Sequence, residues 1–146
     1  MAEPSIHASA LVLGAVGLLL RGPSGSGKSM LGHHLIAAHR AAGRHAVWVA
    51  DDRVRLDLAD GRIIARPVEE LAGLAEFRGL DVQPVHHMES AVIDMIVDLT
   101  GSGDRIPKPM NHRLLPNGPE LPLIRVPAQN LGVATILIAQ AMRPSV

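Results

Sequence analysis

Eight consecutive residues, Gly22-Pro23-Ser24-Gly25-Ser26-Gly27-Lys28-Ser29, have the types and spacing needed to hold a phosphate. They satisfy G-x-x-x-x-G-K-[ST] at every fixed position. Glycines at 22, 25 and 27 let the backbone curl until several N–H groups face one anion, and a helix starting behind them adds the positive end of its dipole. Lys28 supplies a point charge for the β- and γ-phosphates, and the Ser29 hydroxyl is a natural Mg²⁺ ligand. A flexible Gly/Ser linker would share this composition. It would not be closed in by Leu18-Leu19-Leu20 before it and by Met30-Leu31 and Leu35-Ile36, at helical spacing, after it. The stretch reads as a site for a nucleotide or a polyphosphate.

Phosphoryl transfer needs more than a binding loop: a carboxylate for the metal, a group to deprotonate or orient the acceptor, and positive charge on the migrating phosphoryl group. Asp51-Asp52 follow the short β-branched and aromatic run Ala46–Ala50. In α/β sheets ligands gather beyond the carboxyl ends of strands, so an acid belongs there. Neighbours in an extended chain point to opposite faces, which leaves one of the two aimed at the phosphate. As a solvated turn the pair would only open the next hairpin; its position favours function. Glu76 and Arg78 stand at i and i+2, on one face of a strand. As an exposed ion pair they would contribute about 0–1 kcal/mol.

The elements that must position these residues can be read from pattern. Strands are expected at Ala10–Leu13 and Gly17–Arg21, turning at Gly14-Ala15, and a helix from Lys28 to Ala42 stopped by Gly43. Val54–Leu58 and Arg62–Ala65 flank Ala59-Asp60-Gly61, a hairpin signal. Pro67 suits the first turn of a short helix through Leu74. Ala75–Arg78 reads as a strand end, Ala91–Leu99 as one long apolar strand, Leu121–Val126 as the last strand and Ala128–Met142 as the last helix. Thr100–Pro122, with five prolines and no sustained periodicity, reads as a long functional loop. Residues 1–146 make one α/β domain with no internal repeat.

Composition narrows the partners. Hydrophobic content is 47% with 1% aromatic, Trp48 and Phe77, so the core must be aliphatic. Fourteen basic and fourteen acidic residues cancel, which leaves no bulk field for nucleic acid or an anionic membrane. The absence of cysteine excludes disulfides and thiolate metal sites and suits a cytoplasmic setting. Apolar Ile6–Leu20 is too short for a membrane span and comes after acidic Glu3 rather than a basic segment, so two buried strands are expected there instead of a signal peptide. His33-His34 and His86-His87 invite a metal reading, but adjacent residues point apart on a helix or a strand, and no zinc is assigned.

Taken in order, Ile6-His7, the loop Gly22–Ser29, Val49-Ala50-Asp51-Asp52 and Glu76-Phe77-Arg78-Gly79-Leu80 resemble the catalytic domain of HPr kinase/phosphorylase, over about Ile6 to Met142. The resemblance implies an α/β fold of the HPr kinase / PEP-carboxykinase kind, a mixed central sheet flanked by helices. It implies transfer of phosphate from ATP, or from pyrophosphate, with Mg²⁺, to a serine of HPr, a phosphocarrier protein, and its removal by phosphorolysis. By the same resemblance Asp52 would be the general base, and Asp51 would support the metal or orient its neighbour. Ser29 and Glu76 would ligate Mg²⁺, Lys28 would hold the β/γ-phosphates, and His7, Arg78 and Arg105 would line the phosphate site.

Two departures stand out. The chain resembles the short form that lacks the family's N-terminal domain, so allosteric control and hexameric assembly do not carry over, although the apolar last helix offers a subunit contact. The loop before that helix reads R-P-G-R-N in the family and Val126-Pro127-Ala128-Gln129-Asn130 here. Loss of both arginines implies weak phosphorolysis, since charge-assisted contacts to phosphate are about twice as strong as neutral ones. Two readings stand beside this one: a small-molecule P-loop kinase, for which Arg105 and Arg113 would make a thin lid, and a non-catalytic nucleotide-binding regulator.

Overall fold

A computed structural model describes residues 5–100 and 110–143. The chain runs β1 (Ser5–Ile6), β2 (Ala8–Leu13), β3 (Val16–Arg21), α1 (Lys28–Ala41), β4 (Ala46–Ala50), β5 (Val54–Ala59) and β6 (Arg62–Pro67). A single 3₁₀ turn (Glu69–Leu71) leads into β7 (Leu74–Phe77), β8 (Asp81–Pro84), β9 (Ala91–Val92), β10 (Met95–Thr100), β11 (Met110–Arg113), β12 (Glu120–Pro127) and α2 (Leu131–Ala141).

Six strands form the central sheet in the order β11-β12-β10-β3-β2-β4. It is mixed: β10 is parallel to β3 and to β12, while β2 is antiparallel to both β3 and β4. Strands β3, β4, β10 and β12 therefore all point the same way, and their carboxyl ends share one edge. Both helices cover one face. Leu31, Leu35 and Ile36 of α1 and Ala134 and Ile138 of α2 are buried with Leu18, Leu20, Trp48, Val97 and Leu99. A second sheet, β1-β5-β6-β9, covers the other face, burying Ile63 and Ala65 with Leu19, Val47, Val49 and Ile96. The alternation of Leu18, Leu19 and Leu20 between the two clusters is the period-2 rule at work. Apart from Trp48 and the half-buried Phe77, the core is aliphatic, as composition demanded.

Three expectations need correction. Ala91–Leu99 is not one strand. Ala91–Val92 pairs with β6 in the second sheet, and only from Met95 does the chain join the central sheet. The crossing is pinned at Gly17, whose N–H donates to Asp94 Oδ2 at 2.8 Å and whose carbonyl accepts from the Asp94 N–H at 2.8 Å. Any side chain at 17 would collide there, because an added Cβ would lie 1.8 Å from the Val92 carbonyl oxygen. Pro67 does not open a helix either; it ends β6 opposite Val54, and only the 3₁₀ turn comes after it. Lastly, part of Thr100–Pro122 is sheet: Met110–Arg113 runs antiparallel to Glu120–Leu123. The prolines hid this hairpin, Pro116 and Pro119 lying in its turn and Pro122 inside β12.

Candidate active site

The loop between β3 and α1 opens at the shared carboxyl edge. Gly25 and Gly27 take positive φ, +80° and +97°, the left-handed region that glycine enters without steric penalty. Gly22 is required for a different reason: a Cβ there would lie 2.7 Å from the buried Ser26 hydroxyl. Helix α1 starts at Lys28 with no side-chain cap and no acid in its first turn, so its N-terminal N–H groups and dipole are left for an anion. Lys28 is 6% exposed and folds back across the loop, Nζ donating to the carbonyls of Gly22 at 2.7 Å and Pro23 at 3.3 Å. Burial holds the Lys28 ammonium below the usual lysine range, and Asp52, then Asp51 and Glu76, work against that shift.

The two consecutive acids part company where β4 ends. Asp51 is 5% exposed and turns inward. Its Oδ1 accepts from the hydroxyls of Ser9 at 2.7 Å and Ser29 at 2.9 Å, and its Oδ2 from Ser29 at 2.8 Å and from the Glu76 N–H at 2.9 Å. Asp52 takes φ +69°, its N–H donating to the Ser9 hydroxyl at 3.1 Å, and its carboxylate reaches the open cleft. Aspartate tolerates that left-handed turn better than most side chains. His7 stands across from it: Nδ1 is 3.4 Å from Asp52 Oδ1, and Nε2 is 3.3 Å from Lys28 Nζ and 3.5 Å from Ser24 Oγ. With the ammonium donating to Nε2, the ring carries its hydrogen on Nδ1, facing the carboxylate.

The cleft above the loop holds about 350 Å³ and is lined by Lys28, Ser29, Asp52, Glu76, Arg78 and Gln129, with Ser24 and the loop glycines. The structure thus brings together His7, the loop Gly22–Ser29, Asp52, Glu76 and Arg78, with Asp51 directly behind them. Arg105 lies outside the described residues.

Four residues have contacts that sequence reasoning did not foresee. Ser9, fully buried in an otherwise apolar strand, carries no local signal and is found only through Asp51. Gln129, at φ +60°, donates its side-chain amide to the Gly25 carbonyl and its N–H to the Ser26 carbonyl at 3.3 Å, which clamps the start of α2 onto the loop. Asn130, just after it, caps α2 by accepting from the Val133 N–H at 3.2 Å. Arg21, immediately before the loop, makes a two-pronged ion pair with Asp98 on β10, at 2.7 and 3.0 Å.

No family model matches this chain, and neither does any curated protein. Solved structures do. The chain is similar to the HPr(Ser) kinase/phosphatase from Coxiella burnetii, with a TM-score of 0.73 over 94% of this chain and 87% of that one. The fold is the HPr kinase fold. Sequence identity across the match is 21%, so the likeness carries the architecture alone. Among the described residues no helix is long and apolar enough to cross a membrane.

Proposed function

We propose that this chain is a phosphotransferase of the HPr kinase type, moving phosphate from ATP, or from pyrophosphate, to a serine of an HPr-type phosphocarrier protein. One observation carries the reading: a carboxylate, Asp52, faces the same cleft as the loop Gly22–Ser29 and Arg78, with His7 3.4 Å away. A binding switch needs the loop but has no use for that carboxylate.

The residues fit Mg²⁺. Among the described residues no group of three or more His, Asp or Glu side chains is close enough to hold a metal unaided. That suits Mg²⁺, which typically takes one or two carboxylates and completes its shell with substrate phosphates and water. Ser29 and Glu76 are two hard-oxygen donors at the cleft, beside the Asp52 carboxylate assigned to the acceptor. Ser29 gives its hydrogen to Asp51, which leaves lone pairs free, so Asp51 serves the metal by orienting Ser29 rather than by direct ligation. When bound, the ion would neutralise charge on the β- and γ-phosphates.

In the forward reaction Asp52 takes the proton of the acceptor serine as its oxygen bonds to the γ-phosphorus, and the bond from that phosphorus to the β,γ-bridging oxygen breaks to release ADP. His7 holds the Asp52 carboxylate and meets Lys28 on its other nitrogen, which places base and phosphate clamp about one ring apart. Lys28 and Arg78 supply positive charge to the phosphoryl group. Gln129 bears on reversal: its amide is spent on Gly25, and Val126 is fully buried, so this segment offers a phosphoserine no cation. Phosphorolysis is accordingly weak.

The test is incubation with Mg-ATP and a purified HPr from the same cell, read as phosphoserine by intact mass. One added phosphate is expected. Asp52→Asn should cut transfer by about 10²–10⁴-fold with ADP affinity kept. Transfer that survives in Asp52→Asn, or none at all in the wild type with ADP still bound, would turn the reading to another acceptor or to a regulator.

A further inference from the structure

His33 lies one helical turn after Ser29 on α1, the spacing that puts both on one face of the helix. Phosphate binding asks nothing of it. Yet its Nε2 is 2.9 Å from the backbone carbonyl of Glu76. Its ring is stacked on Phe77 with centroids 3.9 Å apart and planes 22° apart, and it meets Trp48 edge-on at 5.1 Å. A carbonyl oxygen only accepts, so Nε2 carries the hydrogen and donates it. His34, the next residue, is exposed. The adjacent histidines do different things.

Glu76 needs this support. It sits on β7, which among the described residues pairs with β8 alone; all four residues of β8 are exposed, and Ala75 and Phe77 on the other face of β7 pack on the core. An isolated two-stranded hairpin is marginal in water. Glu76 is instead held at both ends of its own backbone, its N–H donating to Asp51 and its carbonyl accepting from His33. Asp51 and α1 thereby tie β7 to the two elements that also fix Ser29.

We propose that His33 is a positioning residue, holding Glu76 in register with Ser29 so that both oxygens can meet one divalent cation. The proposal rests on the metal reading above. Its test uses two variants. His33→Phe keeps a stacked ring and removes the donor; His33→Gln keeps an N–H near the place of Nε2 and gives up the ring. In the metal-free protein the Glu76 and Phe77 amides should exchange about five- to tenfold faster in His33→Phe, the loss of one hydrogen bond. Mn²⁺ affinity of the ADP complex, by calorimetry, should fall about tenfold, the usual cost of removing support behind a ligand. ADP affinity without metal should not move. In the transfer assay the Mg²⁺ requirement should rise while kcat at saturating Mg²⁺ is kept, and His33→Gln should recover most of the loss. Wild-type exchange and Mn²⁺ affinity in His33→Phe would overturn the proposal alone, as would a His33→Gln variant no better than His33→Phe. A wild-type ADP complex that binds no Mn²⁺ would overturn the metal reading and this proposal together.

Discussion

The cleft has two walls built on different principles. The phosphate wall, Gly22–Ser29, lies between a strand with four consecutive buried residues and a helix whose Leu31, Leu35 and Ile36 are all in the core. Its shape is written into adjacent residues. The opposite wall, Glu76 and Arg78, belongs to the β7–β8 hairpin, whose tip exposes Leu80 at 67% and Val82 at 49%. That wall is set by side chains reaching in from elsewhere, Asp51 and His33 above all. A pre-formed backbone cradle facing a tethered hairpin makes the loop side the rigid wall and the hairpin side the adjustable one. Local stability tracks buried contacts, and elements that move are drawn from its low end.

The change that should disturb this contrast most is Asp51→Asn, because Asp51 touches both walls. An amide nitrogen cannot accept, so at least one of the Ser9, Ser29 or Glu76 donors loses its partner. Leaving a buried donor unpaired costs about 1–3 kcal/mol. We expect a fall of about 2–3 kcal/mol in urea unfolding, with faster Glu76 amide exchange and weaker Mn²⁺ binding together. A stability loss with Glu76 exchange unchanged would show that the hairpin does not hang on Asp51.

A gentler probe sharpens the phosphate wall alone. Burial lowers the Lys28 pKa, so in the free protein its charged form carries a penalty at low pH. That penalty lifts as pH rises from the lowered value towards 10.5, where the unfolded chain still holds the proton that the folded chain has released. Lys28 therefore makes stability rise with pH through that window. A bound polyphosphate brings negative charge and restores the proton, so ADP binding should take up protons at alkaline pH and weaken as pH climbs. Calorimetry in two buffers of different ionisation enthalpy measures this directly; no uptake would mean that Lys28 stays charged in the empty site.

The smallest effect is expected from Asn130→Ala, outside both walls. Loss of the α2 cap should cost about 1 kcal/mol by thermal unfolding. Since Gln129 next to it clamps the loop, a loss of ADP affinity beyond a few-fold would make α2 part of the phosphate wall after all.

Most of the phosphate wall was legible in the sequence because a strand, three glycines and a helix start are local and contiguous. The β5–β6 hairpin was legible for the same reason, Asp60-Gly61 being a turn signal between alternating runs. Proline misled twice. At Pro67 it reads as a helix start, whereas register with Val54 admits it at a strand end; in Thr100–Pro122 the run of prolines reads as loop, although Met110–Arg113 pairs with β12. The split of Ala91–Leu99 was invisible, since an apolar run does not say which of two sheets it joins. Only the contact of Gly17 with Val92 and Asp94 decides that.

The amino-acid order by itself determined the shape of the loop Gly22–Ser29, because an anion cradle needs nothing beyond its own eight residues and the helix behind them. It also put Asp51-Asp52 directly after β4, at the carboxyl edge where the loop opens. Which acid turns inward and which faces the cleft was decided by the tertiary structure, through Ser9 and Ser29, 42 and 22 residues away from Asp51. The seat of Glu76 was decided there too, through Asp51 and His33 at separations of 25 and 43 residues. Hydrogen bonds of that span leave no periodicity in a sequence, because they depend on the order of strands in space and not on which residues are neighbours along the chain.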